Sequence, residues 1–404
     1  MVRALERQPG VTRVMNGNMA AAYGAKLCRP EIVSAYPITP QTPLVEYLAK
    51  FIVDGELRAD LVEVEGEHSA MSVLEGSAMA GSRTFTGTSA QGQAFMYEAY
   101  FRASTLRLPI VMVVATRDMN SPQTVWSGQQ DVLTLRDAGW VQLFAENNQE
   151  ILDNVIMAYR IAEDPEVLLP VNVCYDGFYL SHLSEGVRVP PPDLVDRFLP
   201  PYVPAHRYLD PAKPVAIDPL VFGDLMMEFR FKHCAAMETA QGAIIRVSEE
   251  FGEQFGRYWG GLIDEFRTED AEFVLITMGS VTGTARVAVE QLRWAGKKVG
   301  LIKIRSLRPF PNGALRKALA GRRAVGIIDR NVCFGWNSGI TFVEVKAALY
   351  GEKAPPPILN FIGGLGGADI KIDHILQAFR SMEEAAAGRP VSGVSWLGLE
   401  FCDD

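Results

Sequence analysis

Residues 61–86, LVEVEGEHSAMSVLEGSAMAGSRTFT, are the clearest indication of how this chain folds. The valine-rich segment Leu61–Val64 predicts a strand, the run of small residues after it predicts a helix, and Arg83–Thr86 predicts another strand. A strand, a helix and a second strand in this order form a βαβ unit, whose two strands are parallel. This stretch therefore predicts an α/β fold built on a mostly parallel sheet.

The same alternation continues on both sides of this unit and returns in the second half of the chain, so we expect two doubly wound α/β domains. In the first half it predicts strands at Ile32–Ala35, Ile110–Ala115, Val141–Ala145 and Leu168–Val173, and helices at Asn16–Leu27, Gln91–Ala103 and Gln149–Ala162. In the second half it predicts strands at Phe273–Met278, Val299–Ile304, Ala324–Ile328 and Ile358–Ile362, and helices at Thr282–Trp294, Ala314–Leu319, Ile340–Leu349 and Ile372–Met382.

Prolines separate the two halves. The segment 187–219 has prolines at 190–192, 200–201, 204, 211, 214 and 219, a density that blocks helix interiors and central strands. We expect a surface arm here, followed by a polar helix at about Phe222–Phe255. The predicted division is a first domain at 1–186, an arm with its connecting helix at 187–265, and a second domain with a C-terminal tail at 266–404.

Composition bounds the class of protein. The 404 residues suit two or three domains, and 48% hydrophobic with 22% charged residues is ordinary globular composition. The net charge of −9 shows no basic excess of the kind that nucleic-acid binding requires, whereas a basic partner or a small anionic ligand stays open. Since the sequence has neither an apolar run of membrane-spanning length nor a signal-peptide core, a cytoplasmic protein is expected.

The five cysteines, Cys28, Cys174, Cys234, Cys333 and Cys402, are scattered and form no CxxC pair. This spacing excludes a ferredoxin-like cluster motif, disfavours a zinc finger and provides no disulfide framework. We expect buried or inert thiols, and no metal held by this chain.

Three polar residues follow predicted strands. Glu67 comes after Leu61–Val64 and begins a helix, Thr39 lies between two prolines, and Arg117 follows Ile110–Ala115. Each has a structural explanation, as a capping glutamate, a capping threonine and a surface arginine. Parallel strands end at one edge of a sheet, however, where α/β proteins bind ligands. Their convergence on that edge favours a site, in which the arginine suits a carboxylate.

The glycines of Gly363–Gly367 do not have the spacing of a dinucleotide-binding loop, and the sequence has no GxxxxGK[ST] phosphate loop. We interpret this segment as a flexible turn or a contact between domains.

Taken together, the motifs resemble those of one family. YPITP at 36–40, EGEH at 65–68, TGTSAQG at 86–92 and Arg117 are similar to segments of the alpha chain of 2-oxoacid:ferredoxin oxidoreductases, the pyruvate:ferredoxin oxidoreductase family. LRLPIVMVVATR, GWVQLFAENNQE, IRSLRPFP and FIGGLGG extend the resemblance over the whole chain. The resemblance implies a thiamine diphosphate enzyme that decarboxylates a 2-oxoacid, passes electrons to iron–sulfur clusters and usually gives the acyl group to coenzyme A.

The resemblance also implies roles for domains and residues. The first domain would bind the aminopyrimidine of the cofactor, and the second would resemble the C-terminal domain of transketolase. Glu67 aligns with the glutamate that activates the pyrimidine, and Thr39 and Arg117 align with residues that contact the 2-oxoacid. The same cavity would be lined by Pro37 and by the loop from Ser89 to Gln91. A glutamate at a dry strand end suits this role, because burial tunes its protonation equilibrium.

The chain lacks the rest of such a site. It has neither the GDG segment that precedes the diphosphate–Mg²⁺ site in related enzymes nor a cysteine pattern for clusters. We therefore expect a beta chain that carries Mg²⁺ and the diphosphate, and gamma and ferredoxin-like delta chains, with 4Fe–4S clusters on these partners. The isolated chain should show no oxidoreductase activity.

The resemblance bears on the substrate as well. Oxalate-type members have an arginine at the position of Thr39, so oxalate is disfavoured. The loop that follows Arg117 contains the small residues Ser127 and Gly128, which would leave room for a larger substrate side chain. This favours an aromatic 2-oxoacid such as phenylglyoxylate, with pyruvate as the next candidate. Packing is the alternative explanation for this loop.

Two other functions stay open. One is a non-catalytic scaffold chain, which the presence of Glu67, Thr39 and Arg117 disfavours. The other is half of a different thiamine enzyme, a transketolase or a decarboxylase, which the order of YPITP and LRPFP disfavours.

Overall fold

The computed structural model describes residues 10–204 and 208–399. Its strands are β1 Val11–Asn16, β2 Ile32–Ala35, β3 Asp60–Glu63, β4 Thr84–Thr88, β5 Val111–Thr116, β6 Val141–Phe144, β7 Val171–Asp176, β8 Ser184–Val189, β9 Ile263–Phe266, β10 Phe273–Thr277, β11 Val299–Ile304, β12 Ser306–Arg308, β13 Ala324–Asp329, β14 Ile358–Ile362 and β15 Val394–Trp396. Its α-helices are α1 Gly17–Cys28, α2 Thr42–Val53, α3 Glu67–Met79, α4 Ala90–Phe95, α5 Tyr97–Thr105, α6 Gln130–Thr134, α7 Asn148–Ala162, α8 Pro192–Phe198, α9 Gly223–Phe255, α10 Val281–Trp294, α11 Asn312–Leu319, α12 Ile340–Ala348 and α13 Ile372–Ala386.

The first sheet has the strand order β12-β6-β7-β5-β4-β2-β3. Its strands are parallel except β12, which runs antiparallel to β6. Strands β4, β5 and β7 are buried along their whole length, as parallel strands covered on both faces must be. Because β3 and β4 lie on opposite sides of β2, the chain changes direction there, and open α/β sheets bind ligands at such points.

The second sheet has the order β15-β14-β13-β10-β11-β9 and is parallel except for β9, which runs antiparallel to β11. It has a core of its own, in which Phe361, Phe379 and Met382 are among the buried side chains. The two sheets confirm the predicted α/β class and its two doubly wound domains.

Asparagines begin two of the predicted helices. The side chain of Asn16 accepts the backbone N–H of Met19 at 2.9 Å, and that of Asn147 accepts the N–H of Glu150 at 2.9 Å. Each bond satisfies a donor that the first turn of a helix leaves free. Asn16 is therefore the N-cap of α1, and Asn147 is the N-cap of α7.

The two domains are joined through a buried group of charges. Lys303, on β11, lies 3.1 Å from the carboxylate of Glu150 and 3.2 Å from that of Glu146, both from the first domain. Arg305 lies 3.6 Å from Glu150, and neither side chain of that pair is exposed. The next residues form β12, which adds the second half of the chain to the first sheet. The domain contact therefore combines ion pairs with strand pairing.

Several predicted elements differ from the structure. The helix predicted at Gln91–Ala103 is two helices, α4 and α5, which meet at Met96. The predicted arm begins with β8, paired with β1, and with α8, and after α8 the described residues 199–204 and 208–222 lack helix or strand. The elements that were not predicted also include strands β1, β9, β12 and β15 and helices α2 and α6. Both boundaries of the three-part division fall within strands, β8 and β9, and the division stays a prediction.

The sequence predicts that the cysteines are buried or inert thiols. Cys28 and Cys174 are buried, and burial raises the pKa of each thiol, whereas Cys234 is exposed on α9. Cys402 lies outside the described residues.

Within the described residues, no helix has the length and apolar character that crossing a bilayer requires.

The buried charges predict a large loss of stability on substitution of Glu150. Glu150→Gln would remove the carboxylate that pairs with the buried Arg305 and would leave Lys303 with Glu146 alone, which costs about 3–5 kcal/mol. We expect a matching shift of the urea denaturation midpoint, followed by circular dichroism. Lys50→Gln, which breaks the exposed pair with Asp54, should leave the midpoint unchanged. Equal midpoints for the two variants would contradict a stabilising role for the cluster.

Candidate active site

Four neighbouring strands of the first sheet end at one edge, in the order β5, β4, β2 and β3. Arg117 follows β5, Gln91 lies in the first turn of α4 after β4, Thr39 lies in the turn after β2, and Glu67 begins α3 after β3. The fold thus brings the predicted site residues to the edge where the chain changes direction between β2 and β4. Their predicted convergence is what the structure shows.

Arg117 connects three of these loops. Its guanidinium donates from Nη1 to the carbonyl of Thr39 and from Nη2 to Oε1 of Gln91 at 2.7 Å. The side chain is only 7% exposed, and its Nε has no hydrogen-bond partner within the described part of the chain. Burial lowers the pKa of Arg117, and the nearby Asp131 opposes this effect. A buried guanidinium with N–H groups to spare is suited to bind a carboxylate.

Glu67 lies against the turn between β4 and α4. A Cβ atom on Gly92 would be 2.3 Å from Oε1 of Glu67 and 2.6 Å from Oγ1 of Thr88, so only glycine leaves room for this carboxylate. Glu67 is 6% exposed, and burial raises its pKa although its own backbone N–H opposes the effect. A carboxyl group in this state holds a proton at higher pH than an exposed glutamate does.

Asp131 holds the site together, although sequence reasoning gave it no role. Its Oδ2 accepts the backbone N–H groups of Ala90 and Arg117, each at 3.0 Å, and its Oδ1 accepts that of Val132 at 2.8 Å. Ala90 has a φ of +41°, which L-residues seldom adopt. Asp131 therefore fixes the turn that presents Gln91 and the strand end that presents Arg117. Its burial raises its pKa to about 7.

The remaining predicted residues are less directly engaged. Ser89 is fully buried and donates its hydroxyl to the carbonyl of Ala115 at 2.7 Å, so this group joins β4 to β5. Pro37 is exposed two residues before Thr39, whose side chain is also exposed. A role of Pro37 and Ser89 in cofactor binding stays a prediction.

The glycine segment of the second domain packs against the loop that follows Arg117. The N–H of Gly366 donates to the carboxylate of Asp118, and the N–H of Gly367 donates to the carbonyl of Ser127 at 2.7 Å. The hydroxyl of Tyr179 donates to the carbonyl of Gly367 at 2.8 Å. Of the two interpretations of Gly363–Gly367, the structure supports the contact between domains.

The same loop has a packing reason for its small residues. The hydroxyl of Ser127 accepts a hydrogen bond from Arg330 at 2.7 Å. A Cβ atom on Gly128 would be 2.2 Å from Oδ1 of Asp118. Because Asp118 occupies the space beside Gly128, the extra room predicted there for a larger substrate is not present.

The sequence of the chain matches known families over both domains. A model described as pyruvate flavodoxin/ferredoxin oxidoreductase, thiamine diP-bdg, matches residues 23–249, which is more than half of the chain. The chain belongs to this family. Residues 271–375 match the model of pyruvate:ferredoxin oxidoreductase core domain II.

Curated relatives cover nearly the whole chain. The alpha subunit of an NADH-dependent phenylglyoxylate dehydrogenase from Aromatoleum evansii is 47% identical over 92% of this chain and 91% of its own length. Pyruvate synthase subunit PorA from Methanocaldococcus jannaschii is 44% identical over 96% of this chain and 98% of its own length. The resemblance deduced from the motifs is confirmed, as is the assignment to oxidoreductases of the 2-oxoacid type.

Two solved structures share the fold. A 2-oxoglutarate:ferredoxin oxidoreductase from Magnetococcus marinus matches with a TM-score of 0.70 and 21% identity, over 92% of this chain and 65% of that one. A split-gene transketolase matches with a TM-score of 0.52 and 14% identity, over 91% of this chain and 96% of that one. The predicted thiamine-enzyme architecture with a transketolase-like second domain agrees with both.

Asp131 predicts a pH dependence of stability. Its pKa is raised from 3.8 to about 7 in the folded chain, so the folded state binds more protons than the unfolded state between these values. Stability contributed by this group is therefore lost as pH rises from about 4 to 7. Asp131→Asn should flatten the fall in unfolding free energy over this range, measured by urea denaturation at several pH values. Thr134→Ala, on the exposed side of α6, serves as the control, and parallel curves for both variants would refute the effect.

Proposed function

We propose that this chain is the catalytic alpha subunit of a thiamine diphosphate-dependent 2-oxoacid oxidoreductase, active only with partner subunits. One observation carries the proposal: the buried carboxyl of Glu67 lies at the same sheet edge as the buried guanidinium of Arg117. A proton-holding carboxyl and a carboxylate-binding cation are the two groups that a thiamine enzyme acting on 2-oxoacids needs from its pyrimidine-binding domain.

The polar groups around Glu67 fit an aminopyrimidine. Within the described residues, Oγ1 of Thr88 and Nε2 of Gln91 are buried and have no hydrogen-bond partner, and both belong to the segment 88–92 that packs against the Glu67 carboxylate at Gly92. Buried polar atoms without partners are costly in a protein, so they indicate a ligand with donors and acceptors of its own. Glu67 and Gln91 would hold the ring, with Pro37 and Ser89 nearby.

Glu67 would act as the proton carrier. When bound, thiamine diphosphate supplies a nucleophilic carbon for the ketone of the substrate and an electron sink after loss of CO₂. Burial keeps the Glu67 carboxyl protonated to higher pH, so it can share a proton with the ring nitrogen of the pyrimidine. Its place at the start of α3 also fixes its direction relative to the sheet.

Arg117 would bind the carboxylate of the 2-oxoacid, with Thr39 beside it. Nη1 and Nη2 are already held by Thr39 and Gln91, which restricts the guanidinium to one orientation. The unpartnered Nε and the remaining N–H positions can meet a carboxylate. Fixing the carboxylate would hold the neighbouring ketone in one orientation for the reaction, which raises the rate.

Partner chains would supply the rest of the enzyme: a beta chain with the diphosphate and Mg²⁺, and gamma and ferredoxin-like delta chains with 4Fe–4S clusters. Both curated relatives are named as subunits. The first turns of α9 support an assembly, because Phe222, Met227, Phe229 and Phe231 are all exposed there. Exposed apolar patches of this kind are typical of protein interfaces. Coenzyme A would accept the acyl group, and the cytoplasmic location stays a prediction.

The substrate we favour is an aromatic 2-oxoacid such as phenylglyoxylate, with pyruvate as the second candidate. The similarity to a phenylglyoxylate dehydrogenase subunit supports the first, and the similarity to pyruvate synthase subunits supports the second. Anaerobic dye reduction by the co-purified complex with thiamine diphosphate, Mg²⁺ and coenzyme A would compare the two. Absence of activity with every 2-oxoacid would favour a scaffold chain, and turnover by the isolated chain would disprove the need for partners.

Glu67→Gln is expected to lower kcat of the complex by about 10²–10⁴-fold, because the amide cannot exchange a proton with the pyrimidine. Glu65→Gln is the matched control, since Glu65 is exposed two residues earlier and bonds to Ser69. Steady-state dye reduction with saturating cofactor measures both. A Glu67→Gln complex as active as the control would rule out proton transfer by this residue.

Arg117→Lys is expected to raise KM for the 2-oxoacid by roughly 10-fold or more, because lysine keeps the charge and loses the planar fork. Initial rates over a range of substrate concentrations give the value, and Arg58→Lys on the surface provides the control. An unchanged KM would exclude Arg117 from binding the substrate carboxylate.

A further inference from the structure

An aromatic stack lies beside the site and has no role in the function proposed so far. The rings of Trp126 and Phe178 have centroids 4.3 Å apart at an interplanar angle of 42°. The ring of His182 continues the stack, 4.7 Å from that of Phe178 and nearly parallel to it. Trp126 belongs to the loop after β5, and Phe178 and His182 follow β7, the neighbouring strand.

Both loops are attached to the residues on either side of Arg117. The N–H of Asp118 donates to the carbonyl of Trp126 at 3.4 Å, and the N–H of Gly177 donates to the carbonyl of Thr116 at 2.9 Å. Both aromatic residues are therefore held next to the strand end that presents Arg117. Trp126 is held by its own carbonyl, and Phe178 is held through Gly177, the residue before it.

The second domain supports the stack from behind. Gly367 donates to Ser127, the residue after Trp126, and accepts from Tyr179, the residue after Phe178. A Cβ atom on Gly367 would be 2.7 Å from Cβ of Trp126, and its φ of +76° also favours glycine. One glycine thus contacts both aromatic loops and fixes their relative position.

The stack is not explained by packing alone. Trp126 is 52% exposed, although its loop is bonded both to Asp118, the residue after Arg117, and to Gly367, so a large apolar surface stays open on a loop that is held in place. Phe178 has a φ of +59°, a strained conformation for a residue other than glycine. Backbone strain of this kind concentrates at ligand sites, where it is maintained because it positions a side chain.

We propose that Trp126 and Phe178 select the substrate by forming an aromatic wall for the side chain of an aryl 2-oxoacid whose carboxylate Arg117 holds. This inference rests on the proposed function. The ring of phenylglyoxylate begins two bonds from its carboxylate carbon, which brings it within reach of side chains beside Arg117. Stacking and burial of the ring favour the aryl substrate over pyruvate, whose methyl group gains little from an aromatic surface.

Kinetics of the co-purified complex test the proposal. Trp126→Leu is expected to lower kcat/KM for phenylglyoxylate by about 10-fold, mainly through KM, and to change kcat/KM for pyruvate less than about 2-fold. Trp126→Phe, which keeps a ring, should retain most of the preference, and Phe178→Leu should act in the same direction as Trp126→Leu. Trp294→Leu is the matched control, because Trp294 is 84% exposed at the end of α10, outside the site.

The outcomes separate this inference from the proposed function. Equal losses with both substrates in Trp126→Leu, without recovery in Trp126→Phe, would indicate a merely structural residue and overturn the inference. It is also overturned by an unchanged ratio of the two kcat/KM values, or by an active wild-type complex that does not use phenylglyoxylate. A wild-type complex without activity on any 2-oxoacid would overturn the proposed function itself.

Discussion

The site depends on one buried carboxyl group, that of Asp131. By accepting the N–H groups of Ala90 and Arg117, it ties the turn after β4 to the end of β5. Arg117 then bonds to Gln91 in the same turn after β4 and reaches a further loop, after β2, through Thr39. Without this carboxyl, the buried N–H groups of Ala90 and Arg117 would have no acceptor, and the turn after β4 would lose its bond to the end of β5. The arrangement of the candidate site residues therefore follows from a residue that the sequence analysis did not include among them.

The second domain extends this constraint to the outer loops. Gly366 and Gly367 bind the loop after Arg117 on its far side, and buried ion pairs around Glu150 hold the domain in place. A transketolase-like domain without predicted site residues thus contributes by fixing the loops of its neighbour. This explains why small residues occur at Ser127 and Gly128: Arg330 bonds to the first, and Asp118 occupies the place of a Cβ atom on the second.

The sequence was sufficient to predict features that depend on local patterns. Strands, most helices and the polar residues at strand ends follow from hydrophobic periodicity, and the parallel order of the sheet brings Thr39, Glu67 and Arg117 together. The sequence was insufficient for features that depend on contacts between residues far apart in the chain. The short strand β12 depends on pairing with β6, and the role of Asp131 depends on a fold that brings α6 beneath two strand ends. Gly92 did carry a signal, because a glycine inside a helix needs a packing reason.

Three residues of the candidate site have buried polar atoms that lack a hydrogen-bond partner in the part of the chain that the structure describes. In a finished site, buried donors and acceptors are satisfied, yet within the described residues Thr88, Gln91 and Arg117 each have a buried atom without a partner. A ligand with donors and acceptors of its own would supply the missing partners, and in the proposed function that ligand is the cofactor, whose other half a partner chain would hold.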